Sequence, residues 1–283
     1  MLRNPEGGRW PPFLFSAEAA AGPASIRIGG KLLRSRRLAF AGAHLLLSML
    51  VGMLTALVVF LVWYPPPYAA LAGGVNLFLL LTSVDMVLGP TLTATVASPS
   101  KGRSELVRDL TVIVFIQVAA FAYGIYSIAS ARPAYLSFEV DHFRVVSAAE
   151  VDPQSLADAP PQLRSLSWLG PRMIAAVKPT LPTDQLRAIE LGLAGIDLSA
   201  EPRNWRDYST QAHKAWIVAQ PAAALLAKFP SQTDAARDVA RRSGRDLSTL
   251  RYLPVVSRRQ IWSALIAAPE ARVVGFLPVD GFN

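Results

Sequence analysis

The chain contains no cysteine and few charged side chains. The absence of cysteine from all 283 residues excludes disulfides, thiolate metal sites and cysteine nucleophiles. Charged residues make up 17% of the sequence, whereas soluble domains carry about a quarter. The sequence has no His-x-x-x-His pair, no Gly-x-Ser-x-Gly elbow and no glycine-rich phosphate loop before a helix. These absences predict a protein that is not an enzyme and that binds neither a metal nor a cofactor.

The charge that is present is mainly basic, with a net value of +8 and an isoelectric point near 10.1. Such a balance can indicate nucleic-acid binding. Here, however, Lys and Arg cluster only beside apolar runs and are dispersed elsewhere. That arrangement is typical of membrane topology, so we expect no nucleic-acid partner.

Apolar residues make up 52% of the chain and are unevenly distributed. Three apolar runs, 38–62, 69–97 and 110–131, are each long enough to cross roughly 30 Å of hydrocarbon as a helix. We therefore predict a three-helix transmembrane domain over 38–131 and a soluble domain over 132–283. The basic segment 1–37 that precedes them is expected to be disordered.

Basic residues flank the apolar runs asymmetrically. They precede the first run and separate the second from the third, whereas residues 63–74 contain no Lys or Arg. The residues concerned are Lys31, Arg34, Arg36, Arg37, Lys101, Arg103 and Arg108. By the positive-inside rule the amino terminus is cytoplasmic and the carboxy-terminal domain lies outside the membrane. Lipid is therefore an expected partner.

An aspartate, Asp85, stands in the middle of the second run. An ionisable side chain near the bilayer midplane costs roughly 2.5 to 3.5 kcal/mol on insertion scales, so it is kept where it has a partner or a task. Thr82, Gly89 and Thr93 recur with it at helical spacing, which predicts that the four residues share one helix face. Pro90 removes one backbone hydrogen bond and predicts a kink beyond Asp85.

The third run carries a similar stripe that includes Gln117 and Gly124. In one interpretation these stripes hold the three helices together, with Asp85 protonated and bonded to Gln117 or Tyr123. In the other, one seam accepts a helix of another protein. The candidates for partner contact are then Thr82, Asp85, Gly89, Pro90, Thr93, Gln117 and Gly124.

The soluble part mixes strand and helix patterns. Residues 134–148 alternate as a strand does, and strands are also predicted over 166–177, 250–256, 260–267 and 272–279. Helices are predicted from Thr183, over 205–229 with an interruption at Pro221, and over 231–242. These elements predict an α+β domain built on a small antiparallel sheet.

Several short motifs follow one another in a fixed order. They are Trp63-Tyr64-Pro65, the stretch from Asp85 to Thr93, Arg132-Pro133, Phe138-Glu139-Val140-Asp141 and Gly275-Phe276-Leu277-Pro278-Val279-Asp280. With them the chain resembles the type IV pilin accessory proteins of the TfpX/TfpZ type, from about Arg36 to the carboxy terminus. The resemblance implies a multi-pass inner-membrane protein with a periplasmic domain, which binds a cognate type IV major pilin and promotes its stability or assembly as an accessory or chaperone protein. Residues 1–30 fall outside the resemblance.

Other functions stay open at this point. A membrane-anchored periplasmic sensor or ligand-binding protein fits the layout, although little cytoplasmic chain remains to carry an output. Proton-linked transport or intramembrane proteolysis would use Asp85, but transport sites usually need more helices and an aspartyl protease needs a second carboxylate. A homo-oligomer would supply that carboxylate, and other pilus assembly proteins are further candidate partners.

Overall fold

The structure is a computed structural model that describes residues 24–96 and 102–282. Among these residues, three helices are long and apolar enough to cross a membrane: Leu38–Trp63, Gly74–Val96 and Arg103–Ser130. The three long apolar helices predicted from the sequence are therefore present. Residues 1–23 of the basic segment, and Lys101 of the second basic cluster, lie outside the described part.

The first helix is longer than its apolar run. Helix α1 spans Ala24–Val58 and continues as a π-helical turn over Val59–Trp63. It therefore covers 24–37, where we expected no regular structure. A short helix, α2, follows at Tyr68–Leu71, and because of it the second long helix begins later than predicted.

The bundle is completed by α3, Gly74–Val96, and α4, Arg103–Ala131. Helix α3 packs between α1 and α4. Gly124 of α4 lies against Leu81 of α3 so closely that a Cβ at Gly124 would be 2.2 Å from Leu81 Cδ1. Small residues thus allow close helix approach, as expected where apolar helices pack together.

The soluble domain is built on one sheet, which has eight strands in the described part of the chain. The strands are β1 Pro133–Glu139, β2 His142–Ser147, β3 Arg172–Ala176, β4 Trp205–Asp207, β5 Gln220–Pro221, β6 Arg251–Val256, β7 Ile261–Ala267 and β8 Arg272–Leu277. Their order is β4-β3-β1-β2-β6-β7-β8, with β5 paired to β6.

The sheet is mixed, so the expectation of a small antiparallel sheet is wrong. Strand β1 pairs in parallel with β3, and β2 pairs in parallel with β6, while the remaining pairs are antiparallel. Both parallel pairs join strands that are separated by long connections. Parallel pairing requires such crossovers, and the periodicity of a single strand carries no information about its neighbour.

Four helices accompany the sheet: α5 Pro182–Leu193, α6 Ala212–Val218, α7 Ala222–Lys228 and α8 Thr233–Ser243. The helical prediction over 205–229 is wrong at its start, because Trp205–Asp207 is strand β4. The Trp205 indole is fully buried and donates a hydrogen bond of 2.8 Å to the Ser199 carbonyl. Burial against β3 thus outweighs the helical spacing of the sequence.

The core of the soluble domain includes part of the membrane-side connection. Leu71 of α2 is fully buried in a cluster with Phe138, Phe143 and Val255 from the sheet. The link between the first two long helices is therefore built into the soluble domain, which fixes where that domain sits on the bundle.

Candidate functional site

A groove runs between α3 and α4, and its lining residues all come from these two helices. Its volume is about 320 Å³, and its walls are mainly aliphatic and aromatic. It is open laterally, since Leu80, Leu88 and Ile116 on its walls are 66%, 53% and 58% exposed. A groove open in this direction can be reached from the lipid without any rearrangement of the bundle.

Two polar side chains, Asp85 from α3 and Gln117 from α4, line the middle of this groove. Among the described residues no hydrogen bond or ion pair engages the Asp85 carboxyl, so the expected bond to Gln117 or Tyr123 is absent. The Gln117 Nε2 atom is buried and has no hydrogen-bond partner. Buried polar groups are normally paired, so both side chains retain capacity for a bonding partner.

Three of the other candidates face α1. Thr93 is buried, and its Oγ1 shares a hydrogen bond of 2.7 Å with His44 Nδ1. Thr82 packs on Gly52, where a Cβ would lie 3.3 Å from Thr82 Cγ2. A Cβ at Gly89 would lie 2.7 Å from His44 Nε2 and 2.3 Å from Gln117 Nε2, so Gly89 stands where α1 and α4 both approach α3.

The predicted single stripe therefore contributes to two adjoining surfaces, the seam with α1 and the groove beside α4. At about 100° per residue, Asp85 lies about 60° around the helix from Thr82, whereas Gly89 is only about 20° away from it. Asp85 is thus at the edge of the stripe nearest α4, whereas Thr82, Gly89 and Thr93 lie against α1. The structure brings Asp85, Gln117 and Gly124 together in the groove and places Thr82, Gly89 and Thr93 in the packed seam.

Pro90 lies inside α3, which continues to Val96. Its ring removes the backbone donor that would bond to the Met86 carbonyl, one turn earlier. Near it, Thr91 Oγ1 donates to the Val87 carbonyl at 2.6 Å. The helix therefore continues past the proline, and the kink beyond Asp85 stays a prediction.

The soluble domain is clamped to the bundle by Arg132 of the Arg132-Pro133 motif, for which the sequence predicted no such role. The side chain is nearly fully buried, and its guanidinium lies 3.8 Å from the centre of the Trp168 ring. Nη1 donates to the Ala129 carbonyl at 2.6 Å and Nε to the Ser167 carbonyl at 3.2 Å. Burial lowers the pKa of Arg132 from its usual value, but an arginine stays charged at neutral pH.

A second attachment is made through α2. Ser257 Oγ donates a hydrogen bond of 2.7 Å to the Leu71 carbonyl. The Tyr68 ring meets Phe276 edge-on at 5.6 Å, and its burial raises the pKa of the phenol well above its usual value, so the side chain stays neutral. No sequence pattern indicated these contacts, because each joins residues far apart in the chain.

Comparison with known proteins gives a consistent result. The family described as "Fimbrial assembly protein FimB" matches residues 33–73, which include most of the first long helix and α2. No solved structure shows a significant match to the chain.

Three relatives come from Dichelobacter nodosus. The "Fimbrial assembly protein, serogroup I" is 31% identical over 244 residues, which cover 86% of this chain and 95% of that protein. The serogroup E1 protein of the same description is 30% identical with the same coverage. The protein of serogroups C1 and C2 is 41% identical over 111 residues, which cover 39% of this chain and 85% of that protein.

Proposed function

The chain belongs to the fimbrial assembly protein family, and on that premise we propose that it binds a cognate type IV pilin in the inner membrane and promotes its stability or its assembly into pili. The relatives' names support a role in pilus assembly. The resemblance to pilin accessory proteins of the TfpX/TfpZ type supports the pilin as partner. In this proposal the chain is not catalytic, its amino terminus is cytoplasmic and its soluble domain is periplasmic.

The α3/α4 groove is the observation that carries the proposal. A type IV pilin awaiting assembly is one apolar helix in the membrane with a globular head outside it. The groove is apolar and laterally open, so it suits such a helix. Asp85 and Gln117 would bond to a hydroxyl, amide or amine of the incoming helix, which satisfies groups that are otherwise unpaired.

The rigid attachment of the soluble domain supports a second contact. Arg132 and α2 hold this domain against the outer end of the bundle. A pilin helix lying in the groove would have its head at the level of that domain. The pilin would then be held at two depths, by its helix and by its head.

The proposal is tested by replacing Asp85 with Leu. We expect Asp85→Leu to reduce co-purification of pilin from solubilised membranes about three- to twentyfold, the range that corresponds to loss of one interhelical polar contact. Ser83→Leu is the matched control, because Ser83 lies on the same helix, is exposed and does not line the groove. Asp85→Asn should keep part of the capture, since the amide oxygen still accepts a hydrogen bond.

Membrane insertion of each variant is checked in the same preparation. The groove is not the pilin site if Asp85→Leu leaves pilin capture unchanged. The same conclusion follows if Ser83→Leu reduces pilin capture as much as Asp85→Leu does. Loss of surface pili on deletion of the gene tests the assembly role separately from the site.

A further inference from the structure

The soluble domain has an arginine-lined pocket of about 800 Å³ at its junction with the bundle. The walls come from the end of α8, the turn between β7 and β8, strand β8 itself, and Pro66 and Pro67 from the connection between the first two long helices. Three arginines, Arg242, Arg245 and Arg272, and one acidic residue, Glu270, line it. The pocket is therefore positively charged, and none of the candidate residues of the groove contributes to it.

Local backbone geometry brings these arginines together. Helix α8 ends at Ser243, and Gly244 then adopts a left-handed conformation with φ of 65°. The Arg245 N–H bonds to the Ala240 carbonyl at 2.9 Å, which closes the helix end and places Arg245 beside Arg242.

Arg272 comes from the other wall. It begins β8, which packs tightly on α8 because Gly275 has no side chain. A Cβ at Gly275 would lie 2.5 Å from Val239 Cγ1. Helix α8 and strand β8 are thus packed tightly together, and the arginines of the pocket come from both sides of this contact.

The pocket arginines lack acidic partners within the described part of the chain. The Arg245 and Arg272 side chains make no ion pair or hydrogen bond there, and Arg242 Nε donates only to the Asp238 carbonyl, at 3.2 Å. By contrast, Arg237 and Arg241 on the outer side of the same helix each pair with an aspartate three residues earlier in the chain. Among these three arginines of α8, Arg242 is therefore the one without an acidic partner in the described residues, and it lines the pocket.

The pocket lies at the level where the first long helix leaves its apolar run. That run ends at Trp63, and Pro66 and Pro67 follow it closely in the sequence. Phe276, which also lines the pocket, packs on Tyr68 of α2. If the long helices span a bilayer, the pocket opens beside the phosphate layer of the leaflet on the side of the soluble domain.

We propose that this pocket binds the phosphate group of an anionic phospholipid. Guanidinium groups match phosphate oxygens through parallel, charge-assisted hydrogen bonds. Basic pockets at the membrane surface are recognised lipid headgroup sites. The end of α8 contributes a partial negative charge of about half a unit, which three guanidinium groups outweigh. Phosphate can also come from solution, but the position beside the bilayer favours the lipid.

The test uses the full chain in detergent, titrated with phosphatidylglycerol or phosphatidylcholine and observed by native mass spectrometry. We expect preferential retention of phosphatidylglycerol. The double variant Arg242→Gln/Arg245→Gln should weaken that retention about tenfold or more, and Arg272→Gln should weaken it less. The double variant Arg237→Gln/Arg241→Gln removes the same amount of charge from the neighbouring turns of α8 and should retain the lipid as the unaltered chain does.

Each outcome decides the assignment. An equal loss of lipid retention in the two double variants would mean that general surface charge attracts the lipid. That result would contradict a specific binding site in the pocket. Displacement of phosphatidylglycerol by inorganic phosphate at a similar concentration would assign the site to soluble phosphate and would contradict the proposal that it binds a lipid. Far-ultraviolet circular dichroism confirms that each variant is folded. Pilin capture, measured in parallel, should persist in the pocket variants, so failure of this site and failure of the groove are distinguishable.

Discussion

Gly89 lies where the first, third and fourth helices of the bundle meet. Its missing side chain leaves room for the His44 ring from α1 and the Gln117 amide from α4, which both approach α3 at this position. The hydrogen bond between His44 and Thr93 lies one turn further along the same seam. One glycine therefore sets the spacing of a polar seam within an apolar bundle.

A large side chain at Gly89 should separate the helices. We expect Gly89→Leu to lower the stability of the bundle by about 1 to 3 kcal/mol, the usual cost of overpacking. The melting temperature of the full chain in detergent, followed by tryptophan fluorescence, measures the change. Gly42→Leu is the matched control, because nothing lies within 4 Å of a Cβ at Gly42. Equal melting of the two variants would contradict this role of Gly89.

At this scale the sequence predicts which residues of α3 are neighbours on its surface, but not which helix each of them faces. Helical spacing groups Asp85 with Gly89 and Thr93, and all of these residues do line contact surfaces. The division between seam and groove depends on where α1 and α4 lie, and spacing along one helix cannot specify that. The role of Asp85 as a partner contact stays a prediction.

Helix α2 is the element that ties the two parts of the molecule together. It is only four residues long, yet Leu71 at its end has no exposed surface and its carbonyl accepts a hydrogen bond from Ser257. A helix this short has little stability of its own. Its conformation is therefore maintained by the soluble domain that encloses it.

Truncation of Leu71 should destabilise the soluble domain, although this residue belongs to the connection between long helices. We expect Leu71→Ala to cost about 2 to 5 kcal/mol, as for other buried leucines. Urea unfolding of the full chain in detergent gives the change in free energy. Leu193→Ala provides the comparison, since Leu193 on α5 is 86% exposed and should cost less than about 0.5 kcal/mol. Similar unfolding curves for the two variants would show that α2 is not part of the core.

Strand positions could be predicted from the sequence, but strand partners could not. The predicted segments 250–256, 260–267 and 272–279 correspond closely to β6, β7 and β8. Strand β1 lies between β2 and β3 and is buried on both faces, so even the polar Ser137 has no exposed surface. The parallel neighbours are set by packing of the whole domain.

The orientation of the whole molecule in the membrane is part of the proposed function. If the three long helices each cross the bilayer, the residues before the first helix and the soluble domain lie on opposite sides of it. The positive-inside rule then predicts that the basic clusters before the first long helix and between the second and third lie together in the cytoplasm.

Reporter fusions test this topology. Alkaline phosphatase joined after Asn283 should be active, because it folds only outside the cytoplasm, and a green fluorescent protein that folds only in the cytoplasm should be dark at the same position. Fusions to a chain truncated after residue 101 should give the reverse pattern. Activity in the cytosol alone for a fusion after Asn283 would invert the proposed orientation and remove the periplasmic contact with a pilin head.

The double fastening of the soluble domain has a geometric consequence. Arg132 secures it to the end of α4, and Leu71 secures it to the turn between α1 and α3. A domain held by one flexible linker could adopt many orientations around the bundle. Attachment to two different helices restricts it to one orientation. Any molecule resting against the helices therefore meets the same side of the domain at the same height each time.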